Sequence, residues 1–272
     1  MNQAGPAHEP FYIAANGARL RVRRITPAGA DSQAPPLVFL HEGLGCIELW
    51  REFPDSLCAL TGRIGVVYDR RGYGGSSRLD GKWDRDYQET EAKVHLPAVL
   101  DGCGIPSAVL IGHSDGGSIA LIAGATLGER IAGIITEAAH IFIEAVTLAG
   151  IREAVAAFQE EGLREKLARY HGDNTEAVFY RWADTWLDPA FRGWNIEHFL
   201  PGIRCPLMVI QGEADEYATE AQVQGIAAQV SGPVEPLMIP GCMHIPHFQA
   251  TAVVLGHMAR FIGDLSGGGS PA

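Results

Sequence analysis

Hydrophobic residues along this chain gather in short runs, and longer amphipathic stretches separate them. Apolar runs with few or no charges predict buried β-strands, because a strand covered on both faces needs no polar alternation. We expect such strands at residues 37–40, 64–68, 108–111, 131–136, 207–210 and 235–239. Before them, residues 11–16 and 19–25 flank Gly17 and predict an opening hairpin.

The stretches between these strands have the apolar spacing of helices. They cover residues 50–60, 87–100, 118–127, 219–230 and 247–265. Alternation of strands and helices predicts an α/β fold with a doubly wound, mostly parallel sheet and right-handed crossovers. In such a fold, the functional loops lie at the carboxyl ends of the strands.

One segment, residues 140–200, breaks the alternation. It has helical patterns without a convincing strand, and it holds Trp182, Trp186 and Trp194, three of the five tryptophans. We therefore expect a core of residues 1–139 and 201–272, with a helical cap inserted at 140–200. The aromatic residues of the cap either pack its own small core or form an apolar pocket wall, with Trp182 and Trp186 as candidate substrate contacts.

Composition narrows the choice of partners. The chain has 272 residues, of which 47% are hydrophobic, and a formal net charge of -11. That length and hydrophobic share suffice for a sizeable core. An acidic surface repels phosphate backbones and anionic lipids, so we expect a small-molecule substrate and neither nucleic acid nor a membrane as partner. The oligomeric state stays open.

The cysteines bear on compartment and metal binding. Five cysteines are scattered along the chain without a C-x-x-C pair. An odd, scattered set predicts reduced thiols and neither a disulfide framework nor a zinc site. The first ten residues also lack the basic-then-apolar pattern of a secretory signal. We therefore expect a cytoplasmic protein.

The clearest chemical motif is I-G-H-S-D-G-G at residues 111–117, which follows a predicted strand and opens a helix. It matches G-x-S-x-G, a nucleophile elbow, and makes Ser114 the candidate nucleophile. A sharp turn brings the flanking segments close together, which explains Gly112 and Gly116. The serine would stand at a helix N-terminus, where unpaired N–H groups and the helix dipole favour negative charge.

A serine nucleophile needs a base, and the base needs an orienting carboxylate. In a strand–elbow–helix protein of this kind the chain order is serine, acid, histidine. Asp215 follows the strand at 207–210, and His244 follows the strand at 235–239. Both would lie at the carboxyl edge beside the elbow. Glu213 and Glu216 are alternative acids, and His247 is an alternative base, although the final helix already begins there.

Two backbone N–H groups are needed to stabilise an oxyanion. Asp115 directly follows the nucleophile and would supply one. The loop H-E-G-L-G at residues 41–45 follows another strand, and Gly43 is the candidate for the second. A plain glycine turn is the alternative interpretation of that loop. This chemistry implies no metal and no organic cofactor.

With these motifs in order, the chain resembles the α/β-hydrolase superfamily along nearly its whole length. The segment D-R-R-G-Y-G-G-S at 69–76 is similar to the D-x-R-G-x-G-x-S segment of the family, which is usually structural there. G-E-A-D at 212–215 and G-C-M-H at 241–244 are similar to its acid and histidine loops. The resemblance implies the α/β-hydrolase fold with a helical cap, and a serine hydrolase that cleaves an ester-like substrate by acyl transfer.

Two positions depart from the usual pattern of that family. Glu42 replaces the glycine that usually follows the loop histidine, which would put a carboxylate near the substrate. Asp115 stands where many relatives have an apolar residue, and the S-D-G-G elbow resembles the biphenyl-hydrolase-like branch, which includes hydrolases of amino-acid esters.

The carboxylate of Asp115 allows two interpretations. It either stabilises the start of a helix or requires a counter-charge beside the oxyanion, which a substrate ammonium would supply. The second interpretation predicts a preference for amine-bearing esters. A lactonase, a carbon–carbon bond hydrolase, a cofactor-free oxygenase and a small-molecule receptor without turnover remain alternatives, because a fold alone does not determine function.

Overall fold

The computed structural model describes residues 9–267, and an eight-stranded sheet runs through this part of the chain. The order of the strands is β1-β2-β4-β3-β5-β6-β7-β8. Their bounds are β1 Phe11–Ala15, β2 Ala18–Ile25, β3 Leu37–Leu40, β4 Gly65–Tyr68, β5 Ala108–His113, β6 Ile131–Glu137, β7 Leu207–Gly212 and β8 Val234–Ile239. β1 and β2 pair antiparallel, β2 pairs antiparallel with β4, and β3 to β8 are parallel. The predicted fold class is confirmed.

The parallel strands form where the sequence has unbroken apolar runs. Every residue of β3, β4, β5 and β7 is buried, as a sheet covered by helices on both faces requires. β5 and β7 each continue two residues beyond the apolar run, because His113 and Gln211 stay in the ladder with their side chains buried. The carboxyl ends of these two strands point to the same edge of the sheet.

The described part of the chain contains ten α-helices. They are α1 Phe53–Thr61, α2 Tyr87–Thr90, α3 Leu96–Gly102, α4 Asp115–Thr126, α5 Ala145–Glu160, α6 Leu163–His171, α7 Thr175–Leu187, α8 Ala221–Gln229, α9 Pro246–Gln249 and α10 Thr251–Gly267. A π-helical turn, Glu91–His95, joins α2 to α3. The helix expected at 247–265 is divided, because Ala250 leaves the helical region at φ -134° and ψ 39°.

Two hydrophobic layers enclose the sheet. On one face Leu96, Leu110 and Ile122 belong to a layer that α3 and α4 share with the strands. On the other face Leu57, Ile111 and Met258 belong to a layer that α1 and α10 cover. This sandwich holds the carboxyl ends of the parallel strands in fixed positions.

Helices α5 to α7 lie between β6 and β7 and have an aromatic cluster of their own. Phe158 stacks on Phe179 with ring centroids 3.8 Å apart, and Trp186 packs edge-on against Phe191. Trp186 also donates a hydrogen bond from Nε1 to the Tyr87 hydroxyl over 3.2 Å, which ties these helices to α2. Within residues 9–267 no helix is long and apolar enough to cross a membrane.

Candidate active site

The turn between β5 and α4 holds Ser114 in a strained conformation. Its φ is 52° and its ψ is -116°, which costs a non-glycine residue on the order of 1–3 kcal/mol. A Cβ on Gly112 would overlap the Gly116 carbonyl, and a Cβ on Gly116 would overlap the Leu40 carbonyl. Glycine is therefore needed at both positions, and the close approach places the elbow against the end of β3.

The Ser114 side chain is the first member of a hydrogen-bonded line. Its Oγ lies 3.0 Å from His244 Nε2, and His244 Nδ1 lies 2.8 Å from Asp215 Oδ1. The Asp215 side chain is fully buried, and its Oδ1 also accepts the Tyr217 N–H over 2.8 Å. Burial opposes ionisation of Asp215, but the hydrogen bond and charge of His244 outweigh it, and the pKa of this carboxyl is lowered. The structure thus brings together the three residues in the order that proton transfer from serine requires.

The alternative acids and base lie in other environments. Glu213 is exposed, while Glu216 accepts the backbone N–H of His244 over 3.1 Å and leaves the ring to Asp215. His247 Nδ1 lies 2.6 Å from a carboxylate oxygen of buried Glu137. The geometry therefore favours Asp215 and His244 over these candidates.

The two predicted oxyanion donors, Gly43 and Asp115, lie beside Ser114 at the same cavity. Asp115 is the first residue of α4, so its N–H has no acceptor within the helix. Among the described residues, the N–H of Gly43 donates no hydrogen bond either. A Cβ on Gly43 would overlap the indole of Trp182, so only glycine fits between the loop and α7.

A cavity of about 270 Å³ opens above Ser114. Its wall is largely apolar and includes the indoles of both predicted contacts, Trp182 and Trp186. The lining residues are Glu42, Gly43, Leu44, Leu49, His113, Ser114, Asp115, His140, Thr147, Ile151, Leu163, Leu167, Trp182, Trp186, Glu216, Tyr217, His244 and Ile245. An apolar cavity with a few polar groups is typical of a small-molecule site.

Glu42 lies at this cavity, as expected, and faces a buried histidine. Its carboxylate is 3.8 Å from Nδ1 of His113, while His113 Nε2 donates to the His244 carbonyl over 2.8 Å. Burial opposes both charges, yet the contact lowers the pKa of Glu42 to about 2 and raises the pKa of His113. Glu42 is therefore ionised at neutral pH, and His113 connects the loop at 41–45 to the loop at 241–244.

The side chain of Asp115 has its partners within the protein. It is buried, and its carboxylate accepts hydrogen bonds from Arg70 Nη1 over 2.7 Å, the Tyr87 hydroxyl and the Gln88 amide. The counter-charge that Asp115 needs comes from Arg70 within the protein. The interpretation in which a substrate ammonium pairs with Asp115 is therefore not favoured, because the carboxylate is buried and Arg70 already supplies its counter-charge.

His140 is a cavity residue that sequence reasoning missed. It follows β6, the residue is 4% exposed, and Nε2 lies 3.2 Å from the Tyr217 carbonyl. Burial lowers its pKa to about 4, so the imidazole is neutral at neutral pH. Its place at the carboxyl end of a strand was the only available signal. Arg70 was missed as well, because its segment was assigned a structural role.

One group of side chains among the described residues has the spacing of a metal site. Ligand atoms of Cys46, Glu48 and Asp69 lie within 4.8 Å of one another. Arg21 contacts both carboxylates, at 2.5 Å from Glu48 and 3.4 Å from Asp69. Both Asp69 oxygens also accept backbone N–H groups. The protein therefore already supplies the partners of these carboxylates, which are explained as an ion-pair cluster.

Comparison with known proteins finds similarity to hydrolases. A family model described as "Alpha/beta hydrolase family" matches residues 37–255. The chain is similar to "Serine hydrolase BPHL" of Mus musculus, at 28% identity over 246 residues, covering 87% of this chain and 81% of that protein. The match to the Homo sapiens protein of that name is 28% identical over 185 residues and spans 62% of its length.

Other similarities are shorter or more distant. "Proline iminopeptidase" of Lactiplantibacillus plantarum is 39% identical over 94 residues, 35% of this chain and 32% of that protein. Among solved structures, the enol-lactonase of Burkholderia xenovorans LB400 superimposes with a TM-score of 0.70 at 20% identity, covering 93% of this chain and 99% of that one. At such identity the superposition supports the fold alone.

Proposed function

The chain belongs to the alpha/beta hydrolase family, and from this premise we propose that it is a serine hydrolase that cleaves a small ester-like substrate by acyl transfer. The observation that carries the proposal is the line from Asp215 through His244 to Ser114, with hydrogen bonds of 2.8 and 3.0 Å. A hydroxyl, an imidazole and a buried carboxylate in this order are what an activated serine requires. Similarity to the two serine hydrolases supports the same chemistry.

Each residue has a defined task in the proposed reaction. His244 takes the proton of Ser114 as Oγ attacks the carbonyl carbon, and the N–H groups of Gly43 and Asp115 stabilise the resulting oxyanion. Asp215 holds His244 in the tautomer with a proton on Nδ1 and stabilises the imidazolium. His244 then protonates the leaving group, and a water molecule that it deprotonates releases the acid from Ser114.

The cavity supports a small, mainly apolar substrate. Trp182 and Trp186 contribute indoles to its wall, and we assign both to substrate contact. Because α7 brings these two side chains to the cavity, and α5 and α6 also contribute lining residues, we propose that residues 140–200 form a cap over the site. All five cysteines are unpaired, which supports our proposal of a cytoplasmic location.

Charge at the cavity supports a preference for esters that carry an amine. Glu42 and Glu216 line it, whereas no lysine or arginine of the described residues does so. Although Glu42 contacts His113, its side chain is 29% exposed, against 2% for that of Asp115. Unit charges about 5 Å apart attract by roughly 3 kcal/mol at intermediate dielectric. Screening by solvent reduces this to about 1 kcal/mol, or about fivefold in kcat/KM. The preference therefore rests on these two glutamates, in place of Asp115.

The preference is tested with an aminoacyl ester and its des-amino analogue. We expect kcat/KM to be about fivefold higher for the amine in the wild type and the ratio to approach one in Glu42→Gln/Glu216→Gln. The ratio cancels any general loss of activity in the variant. A ratio near one in the wild type would contradict the preference and leave the hydrolase proposal standing.

The hydrolase proposal itself is tested by turnover of p-nitrophenyl butyrate alongside a panel of lactones. We expect multiple turnovers on the ester with wild type and loss of turnover in Ser114→Ala. A single slow turnover followed by lasting occupancy would favour a receptor instead. Faster turnover of lactones than of open esters would make the protein a lactonase with the same nucleophile.

A further inference from the structure

Arg70 is a buried cation that contacts both halves of the proposed oxyanion hole. It lies just after β4 and is 2% exposed. Its Nη1 donates to the Asp115 carboxylate over 2.7 Å, and its Nη2 donates to the Glu42 carbonyl over 2.9 Å. One guanidinium fork thus joins the loop after β3 to the first turn of α4.

The contact with Glu42 fixes the direction of the Gly43 N–H. The Glu42 carbonyl and the Gly43 N–H belong to one planar peptide unit, and in a trans peptide these two groups point in opposite directions. The described residues contain no cis peptide bond. Holding the carbonyl toward Arg70 therefore holds the Gly43 N–H toward the opposite side of the peptide unit, and Gly43 lines the cavity together with Ser114.

His41 reinforces the same peptide unit. Its Nε2 accepts the Arg70 backbone N–H over 3.1 Å, so its proton lies on Nδ1, which donates to the Glu42 carbonyl over 2.8 Å. Burial and the charge of Arg70 hold the pKa of His41 well below its usual value, which keeps it neutral. The Tyr73 hydroxyl also donates to the Gly43 carbonyl over 2.9 Å and fixes the next peptide unit.

The contact between Arg70 and the Asp115 side chain bears on the second oxyanion donor, the Asp115 N–H. Arg70, Tyr87 and Gln88 each donate a hydrogen bond to the Asp115 carboxylate and so hold its side chain in place at the start of α4. Arg70 also cancels a negative charge that would otherwise oppose the oxyanion. Arg70 also donates to the Glu42 carbonyl, and this hydrogen bond polarises the peptide unit that the carbonyl shares with the Gly43 N–H. The polarised N–H is a stronger hydrogen-bond donor.

We propose that Arg70 is a positioning residue that orients both oxyanion donors, Gly43 and Asp115, through the two arms of its guanidinium. This inference rests on the proposed function. It gives the segment at 69–76 a role in transition-state stabilisation in addition to its role in the fold. A role limited to neutralising Asp115 predicts a loss of stability without a selective loss of transition-state binding.

The test compares Arg70→Lys with the neighbouring control Arg71→Lys. A lysine ammonium keeps the charge but cannot reproduce the two-armed geometry. Loss of one oxyanion donor typically lowers kcat by about 10²–10³-fold. We expect Arg70→Lys to lower kcat for p-nitrophenyl butyrate by about 10²-fold with KM within about threefold, and Arg71→Lys to match the wild type.

A trifluoromethyl ketone reports on the oxyanion directly, because it forms a tetrahedral hemiketal with a reactive serine. We expect its affinity to fall in Arg70→Lys by a factor similar to that of kcat/KM, and the hemiketal oxygen, followed by carbon-13 NMR, to titrate at higher pH. Equal affinity and equal titration in wild type and variant would overturn the role of Arg70. Absence of a hemiketal in the wild type would contradict the proposed function.

A second variant decides the question if Arg70→Lys fails to fold. Arg70→Met/Asp115→Leu removes both charges and leaves no buried charge unpaired, which proteins often tolerate. A folded double variant with kcat reduced by about 10²-fold or more would support the proposal. Wild-type kcat in that variant would overturn it.

Discussion

Replacing Asp215 by asparagine tests the proton path with little change in shape. The Asp215 Oδ1 accepts both His244 Nδ1 and the Tyr217 N–H, each at 2.8 Å. In Asp215→Asn the charge that stabilises the imidazolium is lost, and an amide whose NH₂ group takes the Oδ1 position forces the proton of His244 onto Nε2. In that tautomer His244 cannot accept the proton of Ser114.

The expected cost follows from the loss of the base. The corresponding change in a serine protease triad lowers kcat by about 10⁴-fold, which equals roughly 5.4 kcal/mol of transition-state stabilisation. We expect a loss of that order in Asp215→Asn, with KM changed much less. The assay is saturation kinetics on p-nitrophenyl butyrate, with thermal unfolding recorded in parallel to show that the variant is folded.

The two neighbouring carboxylates are matched controls. Glu213 is exposed, and Glu216 contacts only the backbone N–H of His244 in this loop. Glu213→Gln and Glu216→Gln should each lose less than about tenfold in kcat. Activity of Asp215→Asn within tenfold of the wild type, or a larger loss in either control, would refute the assignment of the acid.

Three further outcomes can be checked independently. Gly116→Ala should lower the free energy of unfolding, because the new Cβ overlaps the Leu40 carbonyl. Gly256→Ala, in open space on α10, should raise the free energy of unfolding by about 0.5–1 kcal/mol. Equal effects of the two substitutions in urea unfolding would contradict this expectation. The pKa of His140 is about 4, so the unfolded state binds more protons between pH 6.5 and 4, and stability falls as the pH drops. His140→Gln should reduce the dependence of the free energy of unfolding on pH by up to about 1.4 kcal/mol per pH unit. An unchanged pH dependence in this variant would contradict the role of His140. Phenylboronic acid should shift tryptophan emission less in Trp182→Phe than in the wild type, since this indole lines the cavity. No shift in the wild type would contradict the proposal that residues 140–200 cover the site.

The strands and the elbow were predictable because their signals are local. An unbroken apolar run predicts β5, and the glycines of the G-x-S-x-G motif follow from the steric needs of the turn at Ser114. The acid loop follows β7 and the histidine loop follows β8, so the positions of both loops could be predicted once the parallel strands were located. The break at Ala250 was missed, because the apolar period continues across it and only backbone dihedrals record the interruption.

The environment of Asp115 was not predictable, because it depends on residues that are distant in sequence. Arg70 lies 45 positions away and Tyr87 lies 28 positions away, and the sheet order brings both to α4. The sequence shows that Asp115 needs a counter-charge but not which side of the helix supplies it. His140 was missed for a similar reason, because its burial beside Trp186 and Tyr217 arises from packing between segments that are distant in sequence.

The central claim is that Ser114 is the nucleophile of an acyl-transfer enzyme, and covalent labelling tests it most directly. Wild-type protein is treated with a fluorophosphonate, its intact mass is measured, and the modified peptide is mapped. We predict one adduct on Ser114 in the wild type, no adduct in Ser114→Ala, and a loss of turnover of roughly 10⁴–10⁶-fold in that variant. An adduct on another serine, with activity retained in Ser114→Ala, would contradict the claim.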